Sequence, residues 1–294
     1  VKTFTVIGPG RAGGALSIAL VRAGFVAEML ITGKSGLRND LKQHFTGNTR
    51  IFTNEDVVEI TSDLVLVAVP DDKIEALAQQ LAGRIDRNSA VFHLSGALGS
   101  EVIGPIAERG IITGSLHPLI SISDPVSGAE KLSEAFFCIE GSDNACQIAE
   151  LIVRRLRARC FRVSSEKKAL YHSAAVMAAG HIVALADCAF EAMQNAIGSV
   201  AEPREILLPL IESVIANLRN SPAEQALTGP VARGDAKTVV RHLEALGECR
   251  SEILEEVYIL LARRSAEIAS RNAVDPAKIA ELLENLNIAK RRSA

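Results

Sequence analysis

Along the first half of the chain, short apolar runs recur between segments whose apolar residues follow helical spacing. The runs fall at 4–7, 29–32, 64–69, 90–94, 111–115, 136–139 and 160–163. Leu64-Val65-Leu66-Val67-Ala68-Val69 has no polar position, which suits a strand covered on both faces. Such strands separated by helices predict parallel crossovers, hence a doubly wound, mostly parallel α/β sheet of the Rossmann kind over residues 1–163. From 164 onward only helical patterns remain. Ser164-Ser165-Glu166 reads as the start of one long helix reaching about Asn195, with Gly198 as its stop. Pro203 suits the first turn of the next helix, and Pro209 should kink it. Further helices are expected at about 235–246, 248–272 and 276–287. Residues 164–294 therefore read as an all-α domain, and no repeat points to a solenoid.

Composition adds exclusions. Lys and Arg number 32 against 35 Asp and Glu, a formal net charge of -3 without a basic block, so no nucleic-acid partner is expected. The chain runs directly into Thr3-Phe4-Thr5-Val6-Ile7 with no export pattern. Its most membrane-like stretch, 174–190, is interrupted by Gly180, His181 and Asp187. Together these predict a cytoplasmic protein with no membrane partner. The five cysteines lack C-x-x-C spacing and are expected to be small buried hydrophobes rather than disulfides or metal ligands. A helix of ~30 residues, about 45 Å long, exceeds what one small domain buries, which predicts a homodimer.

Gly8-Pro9-Gly10-Arg11-Ala12-Gly13 fits G-x-G-x-x-G, follows a strand and opens a helical pattern. Gly8 would allow the tight turn, Gly10 the approach of a pyrophosphate, and Gly13 the close packing of helix on strand. An NAD-binding fold places an acidic residue at the end of the second strand, to hold the ribose 2′-OH. Here that place reads Leu30-Ile31-Thr32-Gly33-Lys34-Ser35-Gly36. Thr32, Lys34 and Ser35 are instead donors for a 2′-phosphate, with Arg11 or Arg38 as added charge, so the expected cofactor is NADP. Val69 and Pro70 end the third run at the sheet edge where nucleotides bind, and are candidates to line the cofactor.

In order along the chain stand this glycine loop, His93-Leu94-Ser95-Gly96-Ala97, Ser115-Leu116-His117-Pro118, Tyr171-His172-Ser173-Ala174-Ala175, and Ala226-Leu227-Thr228-Gly229-Pro230-Val231-Ala232-Arg233-Gly234-Asp235. With these motifs the sequence resembles, over nearly its whole length, the Rossmann-like short-subunit dehydrogenase-like oxidoreductases with a C-terminal helical domain of unknown function. The resemblance implies a helical domain like those of 6-phosphogluconate dehydrogenase and pyrroline-5-carboxylate reductase relatives, with the active site between the domains. It also implies an Asn where this chain has Gly180. No substrate follows from it.

The candidate proton donors or acceptors are His117, expected in a loop held by Pro118, and His172, near the start of the long helix. Lys168, four residues before His172, is expected either to lower the pKa of His172 or to be solvated. His181 is nine residues past His172, half a turn of the helical wheel away, so the two are not expected to share a site. The lysine–asparagine i, i+4 pair of β-hydroxyacid dehydrogenases is absent. Ser95 is a candidate hydroxyl for the nicotinamide, and Gly96, Thr228 and Arg233 are candidates for the substrate. Asp235 is placed to cap the helix that follows it. The leading expectation is an NADP(H)-dependent oxidoreductase acting on a small carbonyl, imine or hydroxy compound. The alternatives are a non-catalytic NADP(H)-sensing dimer and a deazaflavin-dependent NADP oxidoreductase.

Overall fold

The apolar runs do form strands, and their order explains where the chain can bind a ligand. A computed structural model describes residues 1–33, 36–249, 251–272 and 274–292, and it divides the chain into two units, 1–179 and 180–294. In the first unit the strands are β1 (Thr3–Ile7), β2 (Val26–Thr32), β3 (Arg50–Thr53), β4 (Leu64–Val67), β5 (Ala90–His93), β6 (Ile112–Leu119), β7 (Phe136–Gly141) and β8 (Arg159–Arg162). Between and after them come the helices α1 (Arg11–Arg22), α2 (Asn39–Lys42), α3 (Asp71–Leu81), α4 (Gly104–Ala107), α5 (Pro125–Lys131), α6 (Asp143–Arg155) and α7 (Lys168–Ala178). Among the described residues the strands make one sheet in the order β3-β2-β1-β4-β5-β6-β7-β8. Every neighbouring pair is parallel except β6 with β7. The order reverses direction at β1, and a crevice opens there at the carboxyl ends of β1 and β4. Two apolar clusters fill the unit. One contains Phe4, Leu16, Phe92 and Phe137, the other Ile7, Val65, Val67 and Ile74. Alternate residues of β1 and β4 thus serve opposite faces, as an all-buried strand requires.

Sequence patterning missed β3, a four-residue strand at the sheet edge with Ile51 exposed and too few apolar positions to stand out. It also ended β6 early. The strand continues past Ser115 through His117 and Pro118 because β7 turns antiparallel against it, pairing His117 with Cys138 and Pro118 with Phe137. His117 is therefore a strand residue, not a loop residue.

The first unit extends beyond the expected limit at 163 and takes in α7. The single long helix expected from 164 is broken at Ala179, whose φ of -124° and ψ of -77° leave the helical region. In the second unit the helices are α8 (Gly180–Ile197), α9 (Pro203–Asn220), α10 (Ala223–Ala226), α11 (Ala236–Glu248), α12 (Glu252–Ala269) and α13 (Pro276–Arg292). Pro203 opens α9 and Pro209 lies inside it. Asp235 caps α11, accepting from the Thr238 backbone N–H at 3.1 Å and its hydroxyl at 2.7 Å. Val239, Ile259, Ala266, Leu282 and Leu286 form the core of this unit.

The helices α8 and α9 contribute almost nothing to that core, and no residue of α8 is buried. The helical stretch Ser165–Ile197 holds an 18-residue window of mean hydropathy 1.6, which makes it long and apolar enough to cross a membrane by length and composition. The stretch 174–190, expected to be too interrupted for a span, lies within it.

Helix α1 owes its seat to glycines. A Cβ on Gly14 would meet Pro125 Cβ at 3.1 Å, and one on Gly128 would meet Ile122 Cγ2 at 2.7 Å and Ala15 Cβ at 3.4 Å. Helices α1 and α5 thus pack at a distance only bare backbone allows. Gly128→Val is expected to lower stability by about 1–3 kcal/mol through overpacking. A urea midpoint equal to that of the parent chain would refute the close packing.

Candidate active site

The glycine loop follows β1 directly. Gly8 has φ +88°, and a Cβ there would lie 2.8 Å from the Ala68 carbonyl oxygen. A Cβ on Gly13 would meet Gly8 O at 2.5 Å and Ala68 Cβ at 2.7 Å. Above Gly10 the space is open, with nothing nearer than Gly8 O at 4.0 Å. The first turn of α1 has no acidic residue and no side-chain cap, so among the described residues no side chain competes for its N–H groups. Gly10 and Arg11 are exposed, Ala12 is half-buried and Pro9 is buried beneath them. This is a cradle for an anion at the positive end of a helix, and a dinucleotide pyrophosphate fits it.

The expected 2′-phosphate donors are less open. Lys34 and Ser35 lie outside the described residues. Thr32 is buried and its hydroxyl donates to Gly33 O at 3.0 Å. Arg38 donates to Asp40, and at 3.2 Å to Asp124, the N-cap of α5. Both carboxylates hold its guanidinium firmly protonated, chiefly through the Asp40 hydrogen bond. On the other side of the loop, Val69 is half-buried beside Gly8, and exposed Pro70 leads into α3.

A second cluster lies where β5 and β6 end. Ser95-Gly96-Ala97 turns away from β5 as a tight loop: the Ser95 hydroxyl accepts from Ala97 N and Leu98 N and donates to Asp71 Oδ2 at 2.8 Å. These bonds fill the capacity of that hydroxyl, so Ser95 builds the loop and is not the free nicotinamide ligand expected. Fully buried His93 accepts at Nδ1 from Ser95 N and donates from Nε2 to Gly99 O at 3.0 Å, which fixes it as the neutral Nε2–H tautomer. On β6, Ser115 and His117 are two residues apart and leave the sheet on one face.

Helix α7 closes over that face with residues at i, i+3 and i+4. Lys168 is fully buried and donates from Nζ to Ser95 O at 3.1 Å and to Ser115 Oγ at 2.7 Å. Among the described residues no carboxylate lies within ion-pair distance of it. Tyr171 hydrogen-bonds His117 Nδ1 at 2.7 Å, and His172 meets the His117 ring edge to face with centroids 5.8 Å apart. Both imidazoles converge on Gly96. A Cβ there would overlap His172 Cδ2 and lie 2.9 Å from His117 Nε2, so only glycine leaves them room.

Burial pushes the pKa of His117 down to about 3, helped by Lys168, His172 and His93. Burial and then Lys168 push His93 down to about 4. Burial also lowers the Lys168 ammonium and raises the Tyr171 phenol and the Cys138 thiol. Lys168 is thus not solvated, and its charge falls on His117 and His93. Sequence reasoning brought His117, His172, Gly96 and Ser95 to one place. It missed Lys168, Tyr171, His93 and Cys138, although the i, i+3, i+4 spacing of Lys168, Tyr171 and His172 marks one helix face. Thr228 and Arg233 are exposed residues of the second unit, as is His181.

The chain matches the Rossmann-like domain family over residues 2–118 and the Domain of unknown function (DUF2520) over residues 135–265. No curated protein matches it by sequence. Among solved structures it resembles BF3122 of Bacteroides fragilis, provisionally named an NADP oxidoreductase, with 22% identity and a TM-score of 0.74 over 90% of this chain and 98% of that one. TM1727 of Thermotoga maritima gives 23% identity and 0.70 over 91% and 98%. An imine reductase from Myxococcus stipitatus in complex with NADP+ gives 16% identity and 0.60 over 96% and 99%. At these identities the likeness establishes the fold alone: a mostly parallel α/β sheet followed by a helical region, as in these structures.

Histidines buried in neutral form make stability depend on pH. Folded pKa values near 4 and 3 lie below the unfolded value of about 6.5, so the contribution is complete above pH 6.5 and is lost as the pH falls toward 4 and then 3. For His93 this amounts to about 3 kcal/mol. The urea midpoint, followed by circular dichroism, is expected to drop between pH 6.5 and 4, and His93→Gln to flatten that drop. A midpoint constant over the range would contradict the burial of neutral imidazoles.

Proposed function

We infer that this chain, a Rossmann-like domain followed by a DUF2520 domain, is an NADP(H)-dependent oxidoreductase that acts on a small carbonyl, imine or hydroxy compound. The observation that carries the reading is the convergence of His117 and His172 on Gly96, on the same sheet edge as the glycine cradle after β1. In such a fold a nucleotide whose pyrophosphate sits on α1 extends along the carboxyl ends of β4 and β5. The Gly8–Gly13 loop and α1 would hold the pyrophosphate, and Val69 and Pro70 would flank the nucleotide. When bound, NADP(H) supplies or accepts a hydride. The chain supplies the rest. Neutral His117 and the neighbouring His172 offer N–H or lone-pair partners to the substrate heteroatom, and bare Gly96 leaves the space for it to approach.

Three measurements test this. NADPH should bind about 10- to 150-fold more tightly than NADH, the worth of one charge-assisted contact of roughly 1.5–3 kcal/mol, and Lys34→Ala should erase the difference. Equal calorimetric affinities for the two cofactors would remove the case for NADP. Turnover should appear in a panel of carbonyls, imines and deazaflavin, and His117→Ala or His172→Ala should reduce it by ~100-fold or more with NADPH affinity kept. Tight NADPH binding without turnover on any of them would favour a sensor.

A second copy of the chain is the proposed partner of α8 and α9. Ile182 and Val183 on α8 are 46% and 70% exposed, and Leu210 and Leu218 on α9 are 60% and 55% exposed. A row of this kind on a soluble chain marks an association surface. A membrane span would need α7 and α8 as one continuous rod, yet α7 is tied to the sheet through Lys168 and the helix breaks at Ala179. Light scattering should give a dimer at micromolar concentration, and Leu210→Glu a monomer. A monomeric parent chain would disprove the pairing.

A further inference from the structure

His117 is gripped by one nitrogen and open at the other. Nδ1 lies 2.7 Å from the Tyr171 hydroxyl, while Nε2 faces the space beside Gly96. Cys138 is the cross-strand partner of His117, so both side chains rise from the same face of the sheet, and Tyr171 comes down on that face from α7. The thiol lies near enough to the phenol for each to shift the other, the thiol raising the Tyr171 pKa and the phenol lowering that of Cys138, although burial is the larger cause in both. The positions of the protons follow from the strengths of the groups. A phenol carries one strong O–H donor, an imidazole nitrogen is a strong acceptor, and a thiol is weak in both roles. A phenol O–H is a stronger donor than an imidazole N–H, and an imidazole nitrogen a stronger acceptor than a phenol oxygen, so the stronger pairing sends the Tyr171 proton to His117 Nδ1. The one proton of neutral His117 is then on Nε2.

We propose that Tyr171 is a positioning residue that fixes His117 as the neutral Nε2–H imidazole and presents that N–H beside Gly96 as a hydrogen-bond donor to the substrate heteroatom. The role given to the substrate rests on the function proposed above. The arrangement of the protons does not.

The surroundings favour the neutral ring. The groups facing His117 are Lys168, Tyr171 and His172 on α7, His93 on β5 and Cys138 on β7. The nearby carboxylates are engaged elsewhere: Asp71 with Ser95, Glu140 with Ser100 and Glu101 with Ser165. None of them hydrogen-bonds either nitrogen of His117 among the described residues, so nothing pairs with an imidazolium. Lys168 keeps the geometry in register, because its two bonds to Ser95 and Ser115 pin the first turn of α7 to the sheet one turn before Tyr171. A neutral imidazole that polarises a substrate by donating a hydrogen bond is an established catalytic device.

The test is ¹⁵N NMR of the full chain with labelled histidine, with no cofactor added. The His117 signals should show a protonated Nε2 and a bare Nδ1, and should stay in place from pH 7 to pH 5. Tyr171→Phe removes one oxygen, and it should shift His117 to a mixture of tautomers that begins to titrate within that range. A protonated Nδ1 in the parent chain would overturn the proposal, and so would His117 signals unchanged by Tyr171→Phe. Should Tyr171→Phe not fold, the parent spectrum alone decides the tautomer. If the chain turns over a substrate, Tyr171→Phe should lower kcat by about 10- to 100-fold, with the Kd for NADPH kept. An unchanged kcat would overturn the donation to substrate, whereas an inactive parent chain would refute the function and leave the tautomer to the spectrum.

Discussion

Burying an ammonium group costs several kcal/mol unless its protons find acceptors, and the first unit accepts that cost at Lys168. The two acceptors belong to different strands. Ser95 O comes from the loop after β5 and Ser115 Oγ from β6, while the lysine comes from α7. One side chain therefore joins three segments that are distant in sequence and gives Tyr171 and His172 a fixed height above the sheet. The geometry around Gly96 depends on it, because moving α7 by even an ångström would separate the two imidazoles or drive His172 into the loop. Burial keeps His117 and His93 neutral, and the same charge adds to it, so the packing that sets position also sets protonation.

The nucleotide cradle rests on the opposite device, the removal of atoms. Gly8, Gly13, Gly14 and Gly128 are each placed where a Cβ would strike backbone or a packed side chain. They bring α1 against β1, β4 and α5 and leave the first turn of the helix uncovered. Gly96 extends the principle to the second cluster. The ligand edge of the sheet is thus a line of missing side chains between a helix N-terminus and a pair of histidines.

Periodicity along the chain was enough to find most of the sheet, because strands covered on both faces leave unbroken apolar runs such as 64–69. It failed at β3, where the edge position needs few apolar residues, and at the end of β6, where pairing with β7 carries the strand through a histidine and a proline. The glycine loop, His117, His172 and Gly96 were legible because each stands in a short motif next to a strand or helix start. Lys168 was not, since a lysine in the first turn of a helix is ordinarily solvated and only the packing of α7 on the sheet makes it otherwise. The hydroxyls of Ser95 and Thr32 were misjudged for a related reason. A sequence shows that a donor exists, but not that neighbouring backbone groups already use it.

The reversed strand β7 divides the labour of the sheet. In the parallel part, every strand delivers its carboxyl end to one edge, so the loops proposed to hold the nucleotide are also the loops that start the crossover helices. An alteration there disturbs both binding and folding. Strand β7 arrives at that edge with its first residues, and Cys138 is set down beside His117 by a segment with no crossover to begin and no phosphate to hold. The histidine end of the sheet can therefore be rebuilt from β7 and α7 while the glycine loop stays untouched, and under the proposed function that would let one scaffold be fitted to many substrates by changing only its far side.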